Sequence, residues 1–105
     1  MYQSLPKAEG VSVIGRQILR SGTSVGANYR AVCRARSDKD FISKLGIVIE
    51  EADETAFWME LLIEAEFVSA AKLAPLLQET NELLAIFGAT QRTMKARLAK
   101  SSTNS

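Results

Sequence analysis

The sequence predicts an all-α protein, an antiparallel up-down helical bundle. Three observations predict it. Apolar residues recur at steps of three and four along three long stretches. The only prolines, Pro6 and Pro75, leave those stretches unbroken. No stretch shows the period-two alternation of a strand. Near-heptad spacing and short connections favour antiparallel neighbours.

The first helix is expected at roughly 8–36, on the pattern Val11, Ile14, Ile18, Gly22, Val25, Tyr29, Val32. Ser37 then offers an N-cap oxygen, with Asp40 at the third helical position as in a capping box. The second helix is expected at roughly 38–68. Its main seam is Phe41, Leu45, Val48, Ala52, Thr55, Met59, Leu62, with Ile42, Ile49, Ala56 and Ile63 beside it. Ile47, Trp58, Leu61, Ala65 and Val68 face elsewhere, so this helix should be contacted on several sides. The third helix is expected at roughly 72–99, with Pro75 in its first turn, where a missing N–H costs nothing. Its a/d repeat is Leu73, Leu77, Thr80, Leu84, Phe87, Gln91, Met94, Leu98. Residues 101–105 should be a disordered tail.

The length of 105 residues fits one domain, placed at 1–100. With no histidine in the chain, most acid–base triads, Glu-x-x-His di-iron sites and most zinc sites are excluded. The single cysteine, Cys33, allows no internal disulfide and suits a reducing cytoplasm. Cys33 itself reads as a small buried apolar residue, the alternative being an exposed thiol activated by its neighbours Arg30 and Arg34. The start has no apolar signal core, and no uncharged run reaches the ~18 residues of a membrane span. The net charge of +1 hides segregation into blocks of +5 (1–49), −8 (50–82) and +4 (83–105). Such blocks mark complementary helices or separate charged faces.

Ordered sets of residues carry a family resemblance. They are Arg20 through Ala31 (RSGTSVGANYRA), Asp40 through Leu45 (DFISKL), and Glu51-Ala52-Asp53-Glu54-Thr55 with Trp58, Leu61 and Leu62. Together they resemble the four-helix-bundle protein family whose founding members are encoded in intervening sequences of 23S rRNA genes. The match covers about 5–98. The resemblance implies an all-α bundle without enzyme activity, assembling as a ring-like homo-oligomer, a pentamer in the family. The family is similar in fold to an accessory protein of diversity-generating retroelements, which binds nucleic acid and a reverse transcriptase. One departure stands out. Family members carry an amphipathic helix before the Leu-Pro segment, whereas here Leu5-Pro6 lies at the start. The first family helix is thus missing from this sequence. If the protein has three helices, its second and third should show an uncovered apolar groove.

Gly22-Thr23-Ser24-Val25-Gly26 matches the G-x-S-x-G nucleophile elbow in letters only. That motif needs a preceding strand and a histidine base. No catalytic residue and no cofactor or small-molecule substrate is expected. Gly22 and Gly26 read instead as sites of close helix or subunit contact, offsetting about 1 kcal/mol each for glycine within a helix. Arg16, Arg20, Thr23, Ala27, Arg30 and Arg34 share one helix face over roughly 27 Å. That stripe either binds phosphates or pairs with the acidic second helix. Hairpin arithmetic about Ser37 sets Arg20 opposite Glu54, so Arg20 with Glu51 or Glu54 is the expected structural ion pair. Arg30, Arg34, Arg36 and Lys44 lie nearer the loop and are the stronger nucleic-acid candidates. Glu50, Asp53, Glu60 and Glu64 read as a solvated face, with no metal site expected. Trp58 and Leu61 read as packing or oligomer anchors. Arg92, Lys95, Arg97 and Lys100 suit either the last helix's dipole or a second nucleic-acid patch.

Two functions follow. The first is a cytoplasmic homo-oligomer that binds RNA or DNA, or docks on a nucleic-acid enzyme, away from membranes. The second is a protein-interaction scaffold without nucleic acid.

Overall fold

The computed structural model describes residues 7–104, and the side chains of 8–101. Leu5-Pro6 and Ser105 of the expected tail lie outside the described residues. Three helices follow one another: α1 (Lys7–Cys33), α2 (Asp38–Glu64) and α3 (Ala70–Asn104). No strand occurs among the described residues. The chain is an all-α bundle lacking one helix of a four-helix arrangement, 59 Å long and 23 by 20 Å across.

α2 is the spine. α1 packs along one side of it and α3 along another, while α1 and α3 scarcely meet. The seam predicted for α2 is the core. Leu45, Val48, Ala52, Met59 and Leu62 are buried, joined by Ala56 and by Ile14 and Val32 of α1. Val32, Leu45 and Val48 form its centre, with Val25, Phe41, Ile49 and Phe87 packed around them. Every member of the α3 repeat is half-buried and none is fully buried, because α3 has a single close partner. Tyr29 and Phe87 make the ring contact between α1 and α3, with centroids 5.8 Å apart.

Helix ends differ from the sequence expectation where local chemistry decides them. α1 stops at Cys33, three residues early. The N–H groups of Arg34 and Ala35 turn back to the carbonyls of Ala31 and Val32, each at 3.1 Å, which tightens and closes the turn. α2 begins as predicted. Ser37 Oγ accepts from the Asp40 N–H at 3.0 Å. α2 ends at Glu64, not 68. Phe67 N–H donates to Leu62 O and Glu66 N–H to Ile63 O, both at 3.0 Å, and Glu66 takes φ 61°. This is a Schellman closure with glutamate in the left-handed position that glycine usually fills. α3 starts at Ala70, so Pro75 lies inside the helix instead of in its first turn. α3 continues to Asn104 through residues expected as a tail, where no glycine or proline stops it.

An apolar groove is open, but it was expected on the second and third helices and its walls come from all three. Ala52, Thr55 and Met59 of α2 form the floor. Ile18, Gly22 and Val25 line one wall, and Leu76, Leu83 and Phe87 the other. It encloses about 260 Å³. A second apolar hollow lies between α2 and α3, around Ile63, Leu77 and Ala85. Gly22 and Gly26 are exposed, and a methyl group at Gly15, Gly22 or Gly26 would meet no atom within 4 Å. Close contact within the chain is therefore not their role. The glycine that is needed internally is Gly10, where the Phe67 ring occupies the space of a side chain.

Candidate nucleic-acid interface

The α1–α2 hairpin end gathers the basic residues. Arg30 sits in the last turn of α1, Arg34 and Arg36 in the loop, Lys39 and Lys44 in the first turns of α2. Arg30, Arg34, Arg36 and Lys39 are exposed. Arg34, Arg36 and Lys44, with Ala31 and Asp40, line an open concavity of about 550 Å³. Asp40 is its only carboxylate. Lys44 Nζ lies 3.0 Å from Asp40 Oδ2, one helical turn away, and the Arg36 N–H donates to the same oxygen at 3.2 Å. These two donors, the lysine first, hold the Asp40 carboxyl below its ordinary 3.8. Lys44 is thereby partly neutralised, whereas the Arg34 and Arg36 guanidinium groups face no carboxylate within ion-pair distance among the described residues.

The long stripe on α1 holds in outline: Arg16, Thr23, Ala27, Arg30 and Arg34 are all exposed. Arg20 is taken from it. Its guanidinium pairs with Glu54, and its Nε donates to Gln17 Oε1 at 3.2 Å. Of the two carboxylates considered for Arg20, Glu54 is the partner and Glu51 is not. Glu51 Oε2 is buried in the helix joint without a hydrogen-bond partner. The same Glu54 Oε1 accepts from Trp58 Nε1 at 3.2 Å. Trp58 is half-buried at the helix edge, outside the core, against Phe57 at 5.0 Å and 66°. Leu61 is also half-buried. Neither shares a surface with Gly22 and Gly26, which line and flank the groove.

Two sequence readings change. Cys33 is exposed, because α1 ends there and no helix covers its side. The basic residues of α3 are not in its last turn, since the helix runs beyond Lys100. A polar bridge between α1 and α2 adds to the contacts foreseen from the sequence. Ser21, fully buried, donates to Gln17 O at 2.9 Å and accepts from Thr55 Oγ1 at 2.8 Å. The signal was there: Ser21 falls on the Ile14, Ile18, Val25 stripe, where a polar residue needs a partner across the joint.

No group of three or more potential metal ligands occurs among the described residues. No described helix is long and apolar enough to cross a membrane. The hairpin end can thus offer guanidinium and ammonium donors to anions, with the exposed Cys33 thiol next to Arg34.

The profile of the 23S rRNA-intervening sequence protein family matches residues 1–89. The chain belongs to that family. A solved structure agrees in fold and sequence: a protein of unknown function from the S23 ribosomal protein family of Bacteroides thetaiotaomicron. It is 40% identical to this chain, with a TM-score of 0.71, over 75% of this chain and 73% of that one. Among curated proteins, none matches. Neither the family nor the solved relative is described as an enzyme.

Proposed function

We propose that this member of the intervening-sequence protein family is a non-enzymatic, self-associating cytoplasmic protein that binds RNA through its phosphate backbone. The observation that carries the reading is the open concavity at the hairpin end. The Arg34 and Arg36 guanidinium groups stand there outside any ion pair among the described residues, beside Arg30 and Lys44. Guanidinium donors on an exposed helix end contact phosphates in any sequence, so base specificity is not expected. Self-association is supported by the uncovered groove and by Gly15, Gly22 and Gly26, which leave a helix wall open to another backbone. A ring-like homo-oligomer would repeat the basic end several times and raise avidity for a long polyanion.

The test is RNA binding as a function of salt and charge. Affinity should fall steeply between low and physiological salt. Reversal at Arg30, Arg34 and Lys44 together should weaken binding by about a hundredfold or more at low salt, at roughly tenfold per lost phosphate contact. Binding unchanged by those reversals removes this site from the reading. The second reading, a protein-interaction scaffold, is favoured by the uncovered apolar surface of the groove. It predicts no shift of RNA in a gel at low salt and stable protein complexes in a pull-down.

A further inference from the structure

α2 carries a third face, away from α3 and the groove, that meets α1 at the Glu54–Arg20 pair. Ile47, Glu50, Glu54, Phe57, Leu61 and Glu64 step along it by three and four, a row of about 25 Å at 1.5 Å per residue. Ile47 and Phe57 are exposed, Phe57 by 53%, and Leu61 and Trp58 are half-buried beside them. Asp53 and Glu60 flank the row and are exposed, as are Glu50 and Glu64. Among the described residues, these four carboxylates make no ion pair, since the only acidic groups paired are Glu54 and Asp40. An apolar centre with an acidic border is therefore left open.

We propose that this ridge is a docking surface for a lysine- and arginine-rich segment of a partner polypeptide. Charge selects the occupant. RNA and anionic lipid are repelled by the unpaired carboxylates, and a second copy presenting the same ridge is repelled equally. A basic segment satisfies both parts of the surface. Its alkyl stems lie over Ile47, Phe57 and Leu61 while its head groups reach Glu50, Asp53, Glu60 and Glu64. Arginine fits better than lysine, because a guanidinium also stacks on the exposed Phe57 ring. An apolar centre inside a charged rim is the usual anatomy of a protein interface. The surface is separate from the basic hairpin end, so the inference stands independently of RNA binding.

Trp58 is the only tryptophan and touches Phe57, so its fluorescence reports the ridge directly. The full chain is titrated with an oligoarginine peptide and, separately, an oligolysine peptide. A saturable change in Trp58 emission is expected, with oligoarginine binding several-fold tighter than oligolysine. Phe57→Ala should weaken oligoarginine about tenfold, an effect that charge alone does not produce. The triple variant Glu50→Gln, Asp53→Asn, Glu60→Gln should weaken it by about tenfold or more at low salt. These positions are exposed, and unchanged helical circular dichroism verifies each fold. Arg34→Ala should leave oligoarginine binding unaltered. Emission that stays flat at saturating peptide overturns the proposal. So does binding by Phe57→Ala and by the triple variant as tight as that of the parent chain. Emission that moves with protein concentration alone, together with a higher native mass, assigns the ridge to a second copy and overturns it too. RNA moving Trp58 emission as strongly as oligoarginine has the same consequence.

Discussion

Glu66 closes α2 in the left-handed region, where a side chain crowds the following carbonyl. Glu66→Gly keeps the Schellman hydrogen bonds and removes that crowding, at the expense of a more flexible unfolded chain. Stability should rise by about 0.5–1 kcal/mol, read from urea unfolding. A fall in stability would mean that the Glu66 side chain contributes more than its backbone costs. Asp40 shows how a single charge is tied to the hairpin. Its carboxyl is held below the ordinary 3.8 by the Lys44 hydrogen bond first and the Arg36 N–H second. The sign follows from linkage. A depressed folded-state value contributes stability above the unfolded value and loses it as pH falls below 3.8 toward the folded value. In a carboxyl-carbon NMR titration, Lys44→Ala should move Asp40 back up toward 3.8. No movement would assign the shift to the backbone donor alone. At this scale the sequence was legible in the Ser37 cap and in Asp40 at the third helical position, whereas the Lys44–Asp40 pair was not foreseen. Glu66 was not legible, because nothing local in a glutamate marks it for a left-handed turn.

α3 holds Pro75 within its second turn, where the carbonyl of Ala71 finds no N–H four residues on. Pro75→Ala restores that donor, and stability should rise by about 1–3 kcal/mol in denaturant unfolding, with the larger figure for a fully interior position. The existence, order and direction of all three helices were legible, because the apolar periodicity is long and uninterrupted. The ends were not. α1 closes early through two short backward bonds, and α3 begins earlier and runs later than its apolar repeat requires. Helix ends depend on where backbone donors and acceptors find partners, and several sequences satisfy that equally well. Arg20 with Glu54 and Ser21 with Thr55 fix the register of α1 on α2. Only the first pairing was foreseen, since opposite charges are legible at a distance and a hydroxyl pair is not.

The whole molecule leaves α1 and α3 apart and the groove between them open. The glycine wall separates the folding of one copy from assembly. A Cβ placed at Gly22 meets nothing within 4 Å, and the groove beyond it is open. Gly22→Leu should therefore leave the single copy folded, and more stable by roughly 0.5–1 kcal/mol from helix propensity. The same leucine would block another helix from the groove. Native mass spectrometry should show the parent chain as an oligomer and Gly22→Leu at lower mass. A parent chain that is a monomer at every concentration would overturn self-association.

The sequence by itself determined an all-α bundle, the buried seam of α2, the family, and the segregation of charge into a basic hairpin end and an acidic spine. Each of these rests on periodicity, on residue type or on an ordered motif, which are properties of the chain in one dimension. The tertiary structure decided which charges stay unpaired. Arg20 was withdrawn from the basic stripe, Lys44 was shared with Asp40, and the Arg34 and Arg36 guanidinium groups were left outside any ion pair among the described residues. It also decided what lies uncovered. Cys33, predicted to be buried, came to the surface, and Gly22 and Gly26 face open space. The physical reason is the same in each case. Pairing and burial depend on which side of α2 each neighbour occupies, and a helix with partners on only two sides leaves faces that its sequence pattern alone does not distinguish from core.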